Sequence, residues 1–241
     1  AFYQATSGAD DNVAIGYNAM SGGFGSNAID DCVIIGSGAA AGVLTEDAYG
    51  TVAIGKAALA ALTSGEFNVA VGYEALTAED DGDYSTAVGF RALTAQTGTS
   101  GEVSNTAVGH LAGTAITKGK HNVAIGKSAL ATEDVGDTST AVGYYALYSQ
   151  NSDSDNEETG NTAVGRKAGY HNVTGQNNTY LGKQAGQGAS GESNSSNTAV
   201  GKDALLAIED GGTNSVVGRS AGAALTSGGG NTIMGQGAGL T

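Results

Sequence analysis

The sequence has no proline, no tryptophan and a single cysteine, and it contains no long hydrophobic run. The lack of proline excludes a collagen triple helix, even though 41 of the 241 residues are glycine. One cysteine cannot form a disulfide framework. No stretch approaches the roughly 20 apolar residues of a membrane helix, and no signal peptide is visible, so we expect no insertion into a membrane.

Positive charge is also scarce. The chain has 10 lysines and arginines against 24 acidic residues, which gives a formal net charge of −14. Nucleic acids require a basic surface, so this balance disfavours a nucleic-acid partner. The acidic balance favours a well-solvated protein outside the cell or on a particle, because like charge opposes aggregation of the copies.

What the sequence does contain is one short phrase that recurs thirteen times, approximately Asn-Thr/Val-Ala-Val/Ile-Gly-x-x-Ala-Leu/Gly. Its glycine, which we call the repeat glycine, stands at positions 16, 36, 55, 72, 89, 109, 126, 143, 165, 182, 201, 218 and 235. Such a short period is typical of a solenoid, in which each coil is covered by its neighbours. We therefore predict an all-β fold, a parallel β-solenoid or β-roll of about 13 coils with 17–22 residues per coil. It would form a single domain over residues 1–241, with incomplete repeats at both ends.

Each phrase predicts a short strand that ends at the repeat glycine. Side chains alternate along a strand, so the residues three and one positions before the glycine share one face. We predict that the large apolar residue directly before the glycine points into the core. The glycine indicates a positive φ or no room for a side chain, and the alanine three positions after it indicates a narrow coil. A strip of small residues would then face outward and could pack around a three-fold axis: Ala14, Ala53, Ala70, Ala87, Ala107, Ala124, Ala141, Ala163 and Ala199.

Nine repeats open with asparagine, and stacked asparagine side chains can hydrogen-bond from coil to coil. Cys32 takes this place in the second repeat. We interpret it as a small buried side chain, with a reactive thiol as the alternative. The predicted structural ladder consists of Asn12, Asn68, Asn105, Asn122, Asn161, Asn178, Asn197, Asn214 and Asn231.

Two stretches resemble known repeats. His121-Asn122-Val123-Ala124-Ile125-Gly126 resembles the head repeats of YadA-like trimeric autotransporter adhesins. Ser139-Thr140-Ala141-Val142-Gly143-Tyr144-Tyr145-Ala146-Leu147 is similar to repeats of bacteriophage tail-fibre and adhesin-like proteins. The resemblance covers nearly the whole chain and implies a left-handed parallel β-roll, often a homotrimer, displayed on a cell or virion for attachment. The coils are longer than the usual autotransporter head repeat, and no heptad pattern of a coiled-coil stalk is present.

Charge is sorted along the repeat. Eight of the ten basic residues lie one or two positions after a repeat glycine, whereas 22 of the 24 acidic residues lie elsewhere, mostly in loops. The simplest interpretation is a set of solvated loops. Pairing of copies through opposite charge is one alternative. Binding of calcium, which takes roughly six to eight oxygen ligands, is another alternative, and we expect no other cofactor. Its candidate ligands are Glu79, Asp80, Asp81, Asp83, Asp153, Asp155 and Glu157.

The two ends suggest a mode of assembly. The first residues continue a repeat and the last residues begin one, so two copies could complete a coil between them. The predicted assembly contact comprises Ala1, Phe2, Tyr3, Met234, Gly235, Ala238 and Leu240.

The predicted function is a structural subunit of an extracellular filament or fibre that assembles end to end. The alternative is a homotrimeric adhesin head or phage tail-fibre segment that binds a host-surface glycan or protein. Either function places the chain outside the cell, on the cell surface or on a virion. We expect no enzyme, because the three histidines occupy unrelated repeat positions and no nucleophile motif is present.

Overall fold

The computed structural model describes residues 11–22, 29–44, 48–98, 101–191 and 193–239. Over these residues the chain is all-β, a parallel β-solenoid of about 12 turns with no helix, as the repeat predicts. Within the same ranges there is consequently no helix with the length and hydrophobicity needed to cross a membrane.

Among the described residues, thirteen strands of three residues end directly before a repeat glycine, and two shorter strands lie in loops. In chain order the strands are β1 (Val13–Ile15), β2 (Val33–Ile35), β3 (Val52–Ile54), β4 (Val69–Val71), β5 (Gly82–Asp83), β6 (Thr86–Val88), β7 (Gly101–Glu102), β8 (Thr106–Val108), β9 (Val123–Ile125), β10 (Thr140–Val142), β11 (Thr162–Val164), β12 (Thr179–Leu181), β13 (Thr198–Val200), β14 (Ser215–Val217) and β15 (Thr232–Met234).

The chain divides into two compact units, Ala1–His121 and Asn122–Thr241. In the first unit the parallel strand order is β1-β2-β3-β4-β6-β8, and β5 pairs with β7. In the second unit β9 to β15 follow one another in chain order. The pairing keeps equivalent repeat positions opposite one another, as with Val52 and Val69. Each repeat position therefore forms a row that runs from coil to coil within its unit.

The repeat glycines have both properties that the sequence indicates. Gly72 has a φ of +146°, and a Cβ there would lie 2.3 Å from the carbonyl oxygen of Gly89 in the next coil. In the second unit, Gly182 has a φ of +138°, and its Cβ would lie 2.6 Å from the carbonyl oxygen of Gly201. The expectation of a positive φ and of no room for a side chain is confirmed.

The face of the strand that points into the core is the opposite of the predicted one. Ala70 in the middle of β4 is fully buried, while Val69 and Val71 are half-buried. At other coils the outward side chains are more open, with Ile15 58% exposed and Leu181 47% exposed. The prediction that the large apolar residue points inward is therefore wrong. The outward alanine strip is wrong as well: Ala53, Ala70, Ala87, Ala107, Ala124, Ala141, Ala163 and Ala199 are buried, and Ala14 is half-buried.

The core consists mainly of small residues because the coil is narrow. Ala70 in the strand and Ala75 in the turn are both completely buried, and Leu76 is buried directly after them. A larger side chain in the middle of the strand would overpack this interior unless space were made elsewhere. The alternating strand therefore places alanine inside and its β-branched neighbours outside.

Tyr180 in β12 shows how a coil accommodates a large inward residue. It stands where most strands have alanine, and its side chain is fully buried. The space comes from Gly169 and Gly186, since a Cβ on Gly186 would lie 2.2 Å from a ring carbon of Tyr180. The tyrosine hydroxyl donates a hydrogen bond to Oδ1 of Asn194, and burial raises the pKa of Tyr180.

Candidate functional site

The first repeating surface is the outer sheet face, which we define as the residues three and one positions before each repeat glycine. Val13 and Ile15 in the first unit and Leu181 and Val217 in the second are among its exposed members. Every position of this face holds valine, isoleucine, leucine, methionine, threonine or serine. The face therefore carries no charged residue: one of its two rows is apolar throughout, and the other mixes valine with threonine and serine. An uncharged surface with exposed apolar side chains is typical of an interaction site.

The second repeating surface is the turn row, which we define as the residues directly after the repeat glycines. In the first unit it is mainly aromatic. The rings of Tyr73 and Phe90 stack with their centroids 5.4 Å apart, and Phe90 stacks on His110 at 5.2 Å. Nζ of Lys56 lies 5.5 Å from the centroid of the Tyr73 ring.

In the second unit the turn row is mainly basic. It reads Lys127, Tyr144, Arg166, Lys183, Lys202, Arg219 and Gln236. We call the four consecutive members Arg166, Lys183, Lys202 and Arg219 the cation row. All four side chains are exposed, although the chain as a whole has a net charge of −14.

A tyrosine cluster lies beside the start of the cation row. It consists of Tyr144, Tyr145, Tyr148 and Tyr170. Tyr148 and Tyr170 stack at 5.2 Å, and the Tyr145 ring meets Tyr148 edge-on at 5.0 Å. The guanidinium carbon of Arg166 lies 5.9 Å from the centroid of Tyr144. This part of the surface therefore combines aromatic faces with positive charge.

The structure brings together only some of the calcium candidates. Ligand atoms of Glu79, Asp80 and Asp81 lie within 4.8 Å of one another. Asp83 is not part of this group, and its Oδ1 accepts a hydrogen bond from the backbone of Glu66 at 2.8 Å. Within the described ranges, no group of three acidic residues includes Asp153, Asp155 or Glu157.

Glu79 is buried and engaged in hydrogen bonds. Its Oε1 accepts backbone hydrogen bonds from Asp80 at 3.1 Å and Gly82 at 2.7 Å, and its Oε2 accepts one from Nε2 of Gln96. Burial raises the pKa of Glu79, and the hydrogen bond from Gln96 opposes this rise. Oδ1 of Asp80 is a buried oxygen that accepts no hydrogen bond. The group therefore fits a calcium ion only in part, because the Glu79 carboxylate is already occupied.

The second unit repeats this arrangement around Glu133. Its Oε1 accepts a hydrogen bond from the backbone of Gly136 at 2.8 Å. Its Oε2 accepts hydrogen bonds from Nε2 of Gln150 at 2.8 Å and from Oγ of Ser152 at 3.1 Å. Each unit thus contains a buried carboxylate held by the glutamine of the next coil.

Sequence reasoning missed these glutamines, although a signal was available. Glu79, Gln96, Glu133 and Gln150 all lie seven positions after a repeat glycine, and all four are buried. Leu62 occupies the same position in another coil and is buried as well. Ile116, Asn172 and Ile208 are buried at this position too, so it forms an interior row that holds aliphatic side chains in some coils and hydrogen-bonding side chains in others.

The asparagine positions differ between the units. In the second unit, Nδ2 of Asn214 donates to Oδ1 of Asn197 at 3.0 Å, and Nδ2 of Asn231 donates to Oδ1 of Asn214 at 2.8 Å. In the first unit, Oδ1 of Asn68 accepts a hydrogen bond from the backbone of Ser85 at 2.8 Å. Backbone nitrogens donate in the same way to Oδ1 of Asn12 in the first unit and to Oδ1 of Asn122, Asn161 and Asn178 in the second. In the first unit, Nδ2 of Asn105 donates to Oε1 of Gln96.

Cys32 continues this position inside the first unit. Its side chain is buried, and Sγ donates to the carbonyl oxygen of Ala48 at 3.0 Å. Burial raises the pKa of the Cys32 thiol, which disfavours the reactive thiolate. These contacts support the interpretation of Cys32 as a structural residue.

The predicted assembly contact is described only in part. Ala1, Phe2, Tyr3 and Leu240 lie outside the described residues. Met234, Gly235 and Ala238 belong to the last described coil, where the Met234 side chain is 71% exposed.

Comparison with protein-family models matches no family, and comparison with curated proteins gives no match. The architecture established for the chain is therefore the parallel β-solenoid itself.

Proposed function

We propose that the chain is a non-enzymatic structural subunit of an extracellular, cell-surface or virion-borne fibre, and that it self-associates through its outer sheet face. The observation that carries this proposal is the outward orientation of the valine, isoleucine and threonine rows. These side chains form an uncharged surface on a chain with 10 basic and 24 acidic residues.

A second copy of the same chain is the partner that suits this face. Within each unit the face repeats once per coil, so the same unit of a second copy offers the same spacing of side chains. Because the face itself is uncharged, two such faces in contact bring no like charges directly together, although the chain carries a net charge of −14. The resemblance to trimeric adhesins favours three copies around one axis, with the valine and isoleucine rows in the place first assigned to alanine.

The oligomeric state tests the proposal. We expect sedimentation velocity to give a mass of three times 23.5 kDa for the wild type. Val142→Lys combined with Leu181→Lys puts charge on the outer sheet face, so this variant should sediment as a monomer. The matched control, Ser154→Lys with Ser190→Lys, adds the same charge at exposed loop positions and should retain the wild-type mass.

The same samples test end-to-end coil completion, the other mode of assembly that the sequence predicts. Filaments that lengthen with concentration in electron micrographs, and that persist in the Val142→Lys/Leu181→Lys variant, would favour end-to-end assembly. A wild type that remains monomeric at all concentrations would contradict self-association by either mode.

A further inference from the structure

We propose that the cation row, Arg166, Lys183, Lys202 and Arg219, binds a linear anionic polysaccharide. This proposal goes beyond self-association and does not depend on it, because the turn row and the outer sheet face occupy different positions of the repeat. It assigns a ligand class to one surface of the second unit.

Each coil contributes one cation to the row, and backbone hydrogen bonds between neighbouring coils hold these positions in line. The N–H of Gln184 donates to the carbonyl oxygen of Arg166 at 2.9 Å. The N–H of Ser220 donates to the carbonyl oxygen of Lys202 at 2.8 Å. Neighbouring members of the row are therefore one strand spacing apart, about 4.8 Å. The row presents a single file of positive charges with a fixed repeat, comparable to the length of one sugar ring in an extended chain.

Protein contacts leave most of this charge uncompensated. Of the four cations, Lys202 is the one that forms an ion pair within the described part of the chain, with Asp203 at 3.0 Å. Like charges at equivalent positions of adjacent strands repel each other. A linear polyanion laid along the row would relieve this repulsion and release its own counterions, which favours binding at low salt.

The tyrosine cluster favours a sugar as the carrier of the negative charge. Tyr144 is exposed, and the guanidinium carbon of Arg166 lies 5.9 Å from the centroid of its ring. Nζ of Lys167 lies 4.7 Å from the centroid of Tyr170. Aromatic faces pack against the C–H faces of sugar rings, while arginine pairs with carboxylate or sulfate oxygens. An acidic sugar requires both kinds of contact side by side.

A nucleic acid fits the same surface less well. Proteins that bind single strands place aromatic side chains along the groove for successive bases. Here the rings lie at one end only, because the turn row contains no aromatic residue after Arg166. A duplex requires a broad basic face, whereas this row is one residue wide on a chain of net charge −14.

The test measures binding of heparin and hyaluronate oligosaccharides to the full chain by isothermal titration at several salt concentrations. The test variant is Arg166→Gln/Lys183→Gln/Lys202→Gln/Arg219→Gln. Its matched control removes four cations from the first unit: Lys56→Gln/Arg91→Gln/Lys118→Gln/Lys120→Gln. We expect wild-type binding that weakens with salt and a loss of about 30-fold in the test variant, slightly more than about twofold for each of the four exposed ion contacts. The control should bind like the wild type.

Several results would overturn the proposal. Equal losses in the two variants would assign the effect to net charge, and equally tight binding of oligothymidine would assign the row to nucleic acid. Absence of polysaccharide binding, with a changed sedimentation mass in the test variant, would make the row a contact between copies. If the fourfold variant fails to fold, Lys183→Gln/Lys202→Gln replaces it. Polysaccharide binding by a chain that stays monomeric would support the proposed role of the cation row and contradict self-association.

Discussion

The two units have the same backbone repeat but fill its variable positions differently. In the first unit the turn row stacks Tyr73, Phe90 and His110, whereas in the second it aligns four cations. The asparagine position is continuous over the last coils of the second unit and interrupted by Cys32, Thr51 and Ser85 in the first. The glycine, alanine and leucine positions that set the coil are shared. The difference shows that the coil geometry depends on a few small residues and leaves its surface free to change.

The largest expected effect comes from the shared backbone. Gly72→Val in the first unit and Gly182→Val in the second each place a side chain against the backbone of the next coil, 2.3 Å and 2.6 Å from a carbonyl oxygen already at Cβ. We expect each to lower the free energy of unfolding by about 4 kcal/mol or more. Thermal unfolding followed by circular dichroism measures this. Gly38→Ala is the control, because its Cβ would meet nothing within 4 Å and only the φ of +68° is strained, at about 1 kcal/mol. Wild-type melting of Gly72→Val would contradict the close stacking of coils.

The next effect concerns a coil of the second unit in which Tyr180 and Gly186 take the places of alanine and leucine. Tyr180→Ala should cost about 3 kcal/mol, because it leaves a cavity and removes the hydrogen bond to Asn194. Adding Gly186→Leu should restore part of this loss, since Leu205 occupies the equivalent turn position in the next coil with a φ of +48°. Urea unfolding of the single and double variants measures the recovery. A double variant no more stable than Tyr180→Ala would argue against compensation between strand and turn.

The buried carboxylates allow a matched comparison of the units. Glu133→Gln should cost about 2 kcal/mol and Glu79→Gln about 1 kcal/mol, because an amide nitrogen conflicts with more donors at Glu133. Ser152 donates to Glu133 through both its backbone nitrogen, at 3.2 Å, and its hydroxyl, at 3.1 Å. Denaturant midpoints of the two variants give the order, and the reverse order would show that these donors are not decisive.

The first unit should also respond to pH through Glu79. Burial raises its pKa above the ordinary value of 4.5, so the folded state binds the proton more tightly than the unfolded state. The resulting stability is fully present below the unfolded-state pKa and is lost as the pH rises through the folded-state pKa. Acidification from neutral pH should therefore raise the melting temperature of the wild type relative to Glu79→Gln. A difference that shrinks on acidification would contradict this sign.

The smallest expected effect lies in the turn row. Lys183→Tyr in the second unit and Tyr73→Lys in the first exchange the chemistry of the two units at exposed positions. Each should change the free energy of unfolding by less than about 0.5 kcal/mol. Denaturant unfolding checks this, and a loss as large as that of Tyr180→Ala would show that the turn row stabilises the coil.

Local features of the repeat could be predicted from the sequence. The repeat glycine marks the end of each strand because its φ and its contact with the next coil are properties of the turn. Period-two alternation in a phrase such as Val69-Ala70-Val71 identifies the two faces of the strand. The candidate calcium ligands were less predictable, because Gln96 of the next coil donates a hydrogen bond to Oε2 of Glu79 and so occupies part of that carboxylate.

The sequence by itself determined the solenoid, its period and the position of the strands that end at repeat glycines, because these depend on residues close together in the chain. Only the tertiary structure decided which strand face is inside. Alternation is the same whichever face is buried, and the choice depends on the width of the closed coil, where Ala70, Ala75 and Leu76 fill the interior. The same closure turned Glu79 and Glu133 inward and left the valine and isoleucine rows on the surface.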